Sequence, residues 1–168
     1  MKQLEIFNTE NNLIENKKKN YKLFVDGAAR NNPGPAGAGI YLEHNKKTIF
    51  SKSAYLNEKT NNQAEYLALI FGLFYALKTI EKNDFLEIIS DSELLVRQIS
   101  GTYKIKNTEL QKLHKLSVSM LKKITFTISH ILREQNIVAD KNANLAIDKK
   151  ISPSDEFIEF LQQNDIAI

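Results

Sequence analysis

The order of strand-like and helix-like segments constrains this fold most. Three β-rich segments, at about 21–30, 37–44 and 47–56, follow one another with only short turns between them. Turns this short join antiparallel neighbours, whereas a parallel pair needs a crossover of about a dozen residues or more. Two later strand-like segments, at 84–90 and 124–131, are separated by helical sequence. The pattern predicts an α/β domain with a mixed five-stranded sheet.

Apolar periodicity and capping residues indicate where helices begin and end. They predict helices over about 62–81, 92–100, 108–122, 136–149 and 154–163. The first of these, capped by Thr60 or Asn61, contains the apolar run Leu67–Leu77. That run is too short to cross a bilayer, which needs roughly 20 residues. We therefore interpret it as a buried helix and expect no membrane association.

Composition limits the classes of function that the chain can serve. Its 168 residues suit one domain, predicted at 21–150, with a polar arm at 1–20 and a short helical extension at 151–168. The chain contains no cysteine, which excludes disulfides, thiol catalysis and cysteine–zinc sites. The N-terminus lacks the apolar region of a signal peptide, so we expect a cytoplasmic protein. No feature indicates an obligate protein partner, and we expect a monomer.

Four acidic residues interrupt segments that are otherwise apolar or helical. Asp26 lies within a strand, Glu65 near the start of the apolar helix, Asp91 at a strand end and Asp140 in a first helical turn. Taken singly, each has an ordinary explanation: an edge-strand or turn acid, a solvated helix residue, a helix start, or an acid favoured by the helix dipole. A buried lone carboxylate is unfavourable without a compensating cation, and oxygen ligands favour Mg²⁺ or Mn²⁺ over Zn²⁺.

The sequence around these acids resembles four motifs of the type 1 ribonuclease H family. The segments that carry the resemblance are Asp26–Gly37, Thr60–Glu65, Asp91–Gln98 and His130–Asp140. Their order and spacing agree with that family, and the resemblance covers about residues 21–149. It implies a ribonuclease H fold with strand order 3-2-1-4-5 and helices on both faces of the sheet.

The resemblance also implies an activity and a set of catalytic residues. The implied activity is endonucleolytic cleavage of the RNA strand of an RNA–DNA hybrid, with two Mg²⁺ ions roughly 3.5–4 Å apart and Mn²⁺ as a substitute. Asp26 would bridge both ions, Glu65 and Asp91 would hold the leaving-group side, and Asp140 the water side. His130 matches a histidine near the scissile phosphate.

Substrate-binding residues are implied in the same way. The positions matching contacts in the minor groove of the hybrid are Asn32, Asn61 and Asn62. Backbone and amide groups there and at Gly27 suit recognition of the 2′-hydroxyl that distinguishes RNA from DNA. Thr60 and Asn107 match a pocket for a phosphate of the DNA strand.

The chain departs from the family pattern at three places. Glu93 stands where the family often has Gln. The loop after His130 reads Ile-Leu-Arg without glycine, which places His130 at a strand end and makes Arg133 a second candidate for its role. The alternatives are that His130 is a structural histidine hydrogen-bonded within the protein and that Arg133 is an ordinary surface charge.

The third departure is that the long basic protrusion of some members is absent. Tyr103, Lys104 and Lys106 are its candidate remnant for DNA-strand contact, with a basic surface as the alternative.

Other protein classes explain the chain less well. A non-catalytic hybrid-binding module would have lost at least one acid, and this chain retains all four. A DNA-strand transferase of the same fold has three acids in a different spacing and lacks the Thr60-Asn-Asn sequence. A structural adaptor would leave the acids unexplained.

Overall fold

The structure, a computed structural model, describes residues 17–168. Its strands are β1 (Asn20–Ala29), β2 (Gly34–His44), β3 (Lys47–Lys59), β4 (Phe85–Ser90) and β5 (Thr125–His130). They form one sheet in the order β3-β2-β1-β4-β5. The pairs β1–β2 and β2–β3 are antiparallel, while β1–β4 and β4–β5 are parallel. The predicted mixed sheet and its order are confirmed. Most of the predicted arm, residues 1–16, lies outside the described residues.

Helices connect and flank these strands. They are α1 (Asn61–Thr79), α2 (Glu93–Ile99), α3 (Thr108–Leu121), α4 (Ile137–Lys149) and α5 (Asp155–Gln163). Thr60 caps α1: its side chain accepts from the Gln63 N–H, while the Gln63 side chain accepts from the Thr60 N–H. Within the described residues, no helix is both long enough and apolar enough to span a membrane.

The helices α1 and α4 pack on opposite faces of the sheet, as the resemblance implies. A Cβ at Gly72 of α1 would contact Leu23 and Val25 of β1, whereas a Cβ at Gly39 of β2 would clash with Ala139 of α4. Side chains alternate between the two faces along a strand. Asp26 pairs in register with Gly39, so its side chain lies on the face that α4 covers.

The segment after α4 packs against the core. The Ile151 carbonyl accepts a hydrogen bond from the Tyr55 N–H of β3. The Phe157 side chain of α5 is fully buried, with its ring 5.0 Å from Phe71 and 5.2 Å from Phe74 of α1. The proposed boundary between the domain and an extension at 151–168 stays a prediction.

The predicted and observed elements differ mainly at their ends. β2 begins at Gly34 rather than near 37, because Gly34 and Pro35 pair with Lys59 and Glu58 of β3. A short 3₁₀ helix, Arg133–Gln135, precedes α4 and was not predicted. Three residues are too few to show a periodicity in the sequence.

Candidate active site

Three carboxylates converge where the parallel pairing of β1 with β4 ends. Asp26 lies on β1, and Asp91 directly follows Ser90, the last residue of β4. Val25 pairs with Ser90 across these strands, which makes the two acids neighbours. Glu65 reaches the same point from α1, and one carboxylate oxygen from each of these acids lies within 4.8 Å of the others. The structure thus brings together three of the four predicted acids.

Gly27 allows Glu65 to approach Asp26. The Gly27 N–H donates a hydrogen bond to Glu65 Oε2 at 3.0 Å. A Cβ at position 27 would lie 2.2 Å from the backbone carbon of Ala64, a distance that real atoms do not adopt. The absence of a side chain therefore lets the first turns of α1 press against β1 and presents the Glu65 carboxylate beside Asp26.

Burial and charge repulsion make the Asp26 and Glu65 carboxylates resist ionisation. Asp26 is 3% exposed, and its Oδ2 atom has no hydrogen-bond partner. Burial, and then the charge of Asp91, raises the pKa of Asp26 to about 8. Burial, followed by the charges of Asp26 and Asp91, also raises the pKa of Glu65 well above its usual range, against the opposing effect of the Gly27 N–H.

This arrangement fits a divalent cation. A cation compensates the repulsion that raises both pKa values. It also supplies a partner for the buried Asp26 oxygen, and the donor set contains only oxygen, which suits Mg²⁺ or Mn²⁺.

Asp140 lies beside this cluster and is paired with arginine. Arg133 donates from Nη2 and Nε to Asp140 Oδ1, at 2.9 and 3.2 Å. This hydrogen bond, together with the Asp140 charge, raises the pKa of Arg133. The Asp140 charge also raises the pKa of Asp26, while the Arg133 charge lowers it. Asp140 is therefore close enough to act on the cluster electrostatically, and its role as a cation ligand stays a prediction.

His130 is the last residue of β5, at the strand end that the loop sequence predicts. Its Nε2 atom lies 3.2 Å from the backbone oxygen of Asp91. A carbonyl oxygen only accepts, so Nε2 carries the proton in this contact. The ring is otherwise exposed at the rim of the acidic cluster.

Two predicted substrate-binding asparagines connect the turn after β1 to the start of α1. Asn32 Oδ1 accepts from the Asn61 N–H at 3.0 Å, and Asn61 Oδ1 accepts from the Ala29 N–H at 3.2 Å. Their amide oxygens are thus used within the protein, which leaves the amide nitrogens to donate to a ligand. Asn62 is exposed on the next position of the helix.

Thr60 and Asn107 cap two helices that begin near each other. The Asn107 side chain accepts from the Leu110 N–H at the start of α3, as Thr60 does at the start of α1. Lys59, which precedes Thr60, and Glu109, two residues after Asn107, line one cleft. Helix N-termini favour anions, so this position suits a phosphate.

The proposed DNA-strand loop is exposed. Lys104 and Lys106 face solvent, while the Tyr103 ring lies 5.2 Å from the Arg97 guanidinium. Glu93 also pairs with Arg97, through a 2.8 Å hydrogen bond within α2.

Some residues of the site carry no clear signal in the sequence. Arg30 and Asn144 line the same cleft as Asp26, Glu65 and Asp91. Asn136 is buried beside it and lies four residues before Asp140. That spacing, one helical turn from a candidate acid, is the signal that would have identified Asn136.

Sequence comparison shows that the chain is similar to known proteins. The family described as "Reverse transcriptase-like" matches residues 24–146. A bifunctional protein of Mycobacterium tuberculosis is 37% identical over 130 residues, which cover 74% of this chain and 34% of that protein. The chain therefore spans about a third of the length of this mycobacterial relative.

Solved structures are similar over nearly their whole length. The RNase H1 of the archaeon Halobacterium salinarum has a TM-score of 0.74 and 31% identity, covering 77% of this chain and 98% of that one. LC11-RNase H1, isolated from compost and solved in complex with an RNA/DNA hybrid, has a TM-score of 0.73 and 37% identity. The similarity covers 79% of this chain and 99% of LC11-RNase H1.

Proposed function

Because this chain belongs to the type 1 ribonuclease H family, we propose that it hydrolyses the RNA strand of RNA–DNA hybrids. The convergence of the Asp26, Glu65 and Asp91 carboxylates within 4.8 Å is the observation that carries this proposal. Such an acidic cluster in a cleft suits cation-assisted phosphodiester hydrolysis. The solved complex of LC11-RNase H1 with a hybrid supports the choice of substrate.

We propose that the site works with two divalent cations, Mg²⁺ or Mn²⁺. Asp26, Glu65 and Asp91 would hold one, and Asp26 with Asp140 the other. When bound, such ions activate a water and stabilise the leaving oxygen of the phosphodiester. Both Arg133 contacts use Asp140 Oδ1, so Asp140 would serve as a ligand through its other oxygen, Oδ2.

The protein's own groups perform the remaining tasks. Asp26 must lose the proton that its raised pKa retains at neutral pH before it can act as a full ligand. Gly27 holds the Glu65 carboxylate in place through its backbone N–H. His130, whose side chain is exposed, can carry a proton to or from the reacting phosphate. Cleavage would leave a 5′-phosphate on the downstream product.

The substrate would be recognised by shape and by the 2′-hydroxyl. The Asn32 and Asn61 amide nitrogens would donate into the minor groove from a rigid turn. The helix starts at Thr60 and Asn107 would hold a phosphate of the DNA strand. Phosphate contacts fix the position of the duplex without reading its sequence.

One assay tests the proposed function. A labelled RNA–DNA hybrid, an RNA duplex and a DNA duplex are each incubated with Mg²⁺, Mn²⁺ or EDTA. We expect cleavage of the hybrid's RNA strand alone, with either cation and not in EDTA. Binding of the hybrid without cleavage would instead support a non-catalytic module, and strand joining on the DNA duplex would support a transferase.

His130→Ala should slow hydrolysis without abolishing it. Full acid–base assistance contributes about 10²–10⁴-fold, and the position of His130 on a strand end favours the lower end of that range. The acids and their cations would still provide most of the electrostatic stabilisation. Single-turnover and steady-state rates of the variant measure this effect.

Arg133→Ala is the matched comparison, because Arg133 lies at the same rim and contacts Asp140 directly. If His130→Ala equals wild type in both regimes while Arg133→Ala is slow, the histidine is structural and Arg133 assists the reaction.

Replacing Lys104 and Lys106 together with alanine should weaken hybrid binding and reduce its salt dependence. Both side chains are exposed, and each lysine–phosphate contact releases about one counterion from the duplex. Binding measured over a range of salt concentrations gives the slope. An unchanged slope would place the DNA-strand contact elsewhere.

A further inference from the structure

Asn136 contacts the backbone beside Asp26 and at Asp140, and the side chain of Asp91. Its side chain is 1% exposed, and Nδ2 donates to the Val25 backbone oxygen on β1 at 3.0 Å. The same nitrogen lies 3.4 Å from Asp91 Oδ1, a long hydrogen bond. The Asn136 backbone oxygen accepts from the Asp140 N–H at 3.0 Å. Val25 immediately precedes Asp26, so one residue connects β1, the end of β4 and α4.

These contacts determine the orientation of the amide. The Val25 oxygen and the Asp91 carboxylate are both acceptors, so the nitrogen of the amide must face them. The Asn136 Oδ1 atom is buried and has no partner among the described residues. A buried unsatisfied acceptor is unfavourable, so packing alone does not explain why an asparagine stands here.

Helix capping does not explain the residue either. Asn136 precedes α4 in the position where asparagine side chains often accept a hydrogen bond from the first helical turn. Here the side chain makes no such bond. Its hydrogen bonds go to the strands that carry Asp26 and Asp91.

We propose that Asn136 is a positioning residue that holds the Asp26 and Asp91 carboxylates at the separation needed to bind a divalent cation. It fixes the β1 backbone beside Asp26 and donates to Asp91 from a helix that also carries Asp140. This role rests on the proposed function, because the cation site is part of that proposal. Residues that orient ligands in this way typically contribute about 10–100-fold to metal affinity or activity.

The test compares Asn136→Ala and Asn136→Leu with Asn142→Ala. Asn136→Leu keeps most of the side-chain volume but makes none of the hydrogen bonds of the asparagine. Asn142 is also on α4, and it likewise donates to a strand carbonyl, that of Ile40 at 3.1 Å. Its side chain donates to β2 and β3, at Ile40 and Ser51, rather than to the strands that carry Asp26 and Asp91, so it serves as the matched control.

Three quantities are measured on the full chain. Calorimetric titration with Mn²⁺ alone gives the cation affinity, thermal unfolding in EDTA gives the stability without cation, and hybrid cleavage over a range of Mg²⁺ concentrations gives the cation requirement. We expect Mn²⁺ affinity to fall about 10–100-fold in both Asn136 variants and to stay unchanged in Asn142→Ala. The Mg²⁺ concentration for half-maximal cleavage should rise by the same factor, with rate partly recovered at high Mg²⁺.

Unchanged Mn²⁺ affinity in the Asn136 variants would overturn the proposal. So would loss of folded structure in both variants while Asn142→Ala stays folded, because Asn136 would then support the fold as a whole. Cation affinity is read without substrate. A wild-type protein that fails to cleave the hybrid therefore counts against the proposed function, while the Mn²⁺ titration still decides the role of Asn136.

Discussion

Asp26→Asn should abolish hybrid hydrolysis while the protein stays folded. The Asp26 carboxylate lies within 4.8 Å of ligand oxygens of Glu65 and Asp91, and a neutral amide cannot replace its charge toward a cation. Asparagine has nearly the same shape, so the packing of β1 should be preserved. Single-turnover cleavage with saturating Mg²⁺ measures the loss. A variant that keeps more than about a tenth of the wild-type rate, a barrier change of roughly 1.4 kcal/mol, would contradict this role of Asp26.

The same substitution should stabilise the protein in EDTA at neutral and alkaline pH. The folded Asp26 carboxyl has a pKa raised from 3.8 to about 8, so the folded protein binds this proton more tightly than the unfolded chain does. The contribution of this group to the free energy of unfolding is then greatest at low pH. It falls as pH rises between those two values, by at most about 1.4 kcal/mol per pH unit for one proton. Asp26→Asn should remove this component, and thermal unfolding from pH 5 to 9 measures it.

Asp84→Asn is the matched control for Asp26→Asn. Asp84 is also buried, at 4% exposed, but its carboxylate accepts from the Lys19 and Glu81 backbone N–H groups at 2.9 Å each. Losing one acceptor there should destabilise the protein by about 1–3 kcal/mol and leave the hydrolysis rate of the folded protein unchanged. If both variants lose activity equally, the effect of Asp26→Asn is not specific to the cluster.

Gly27→Ala should reduce both stability and activity. The new Cβ would lie 2.2–2.4 Å from backbone atoms of Ala64 and Glu65, and backbone cannot move aside as a flexible side chain can. Overpacking of this kind costs about 1–3 kcal/mol, sometimes more. Moving α1 also moves the Glu65 carboxylate, and a displacement near 1 Å can reduce the rate about 10²-fold. Thermal unfolding and cleavage assays on the same preparation measure the two effects.

Gly72→Ala provides the comparison at the same helix–strand interface. A Cβ there would lie 3.0–3.1 Å from side-chain atoms of Leu23 and Val25, which can shift by a few tenths of an ångström. Alanine also favours the helix by about 1 kcal/mol over glycine. We expect little change in melting temperature and none in activity. Equal losses in the two variants would show that Glu65 placement does not depend on the close approach at Gly27.

The sequence by itself determined the order of the elements and most of their boundaries to within about two residues. Alternation of apolar residues predicts the strands, and the apolar run Leu67–Leu77 with its cap at Thr60 predicts α1, because these periodicities are local properties of the backbone. The acids Asp26, Glu65 and Asp91 also stand out locally, since each interrupts or adjoins apolar sequence. Short unpatterned elements such as the 3₁₀ helix Arg133–Gln135 were missed.

Only the tertiary structure decided how the candidate site is assembled. The hydrogen bond from Gly27 to Glu65 joins residues 38 positions apart, and that from Asn136 to Val25 joins residues 111 apart. Distances of this kind depend on how α1 and α4 pack on opposite faces of the sheet, which no local pattern contains. Local sequence specifies which carboxylates are available, and packing specifies which of them converge and what holds them there.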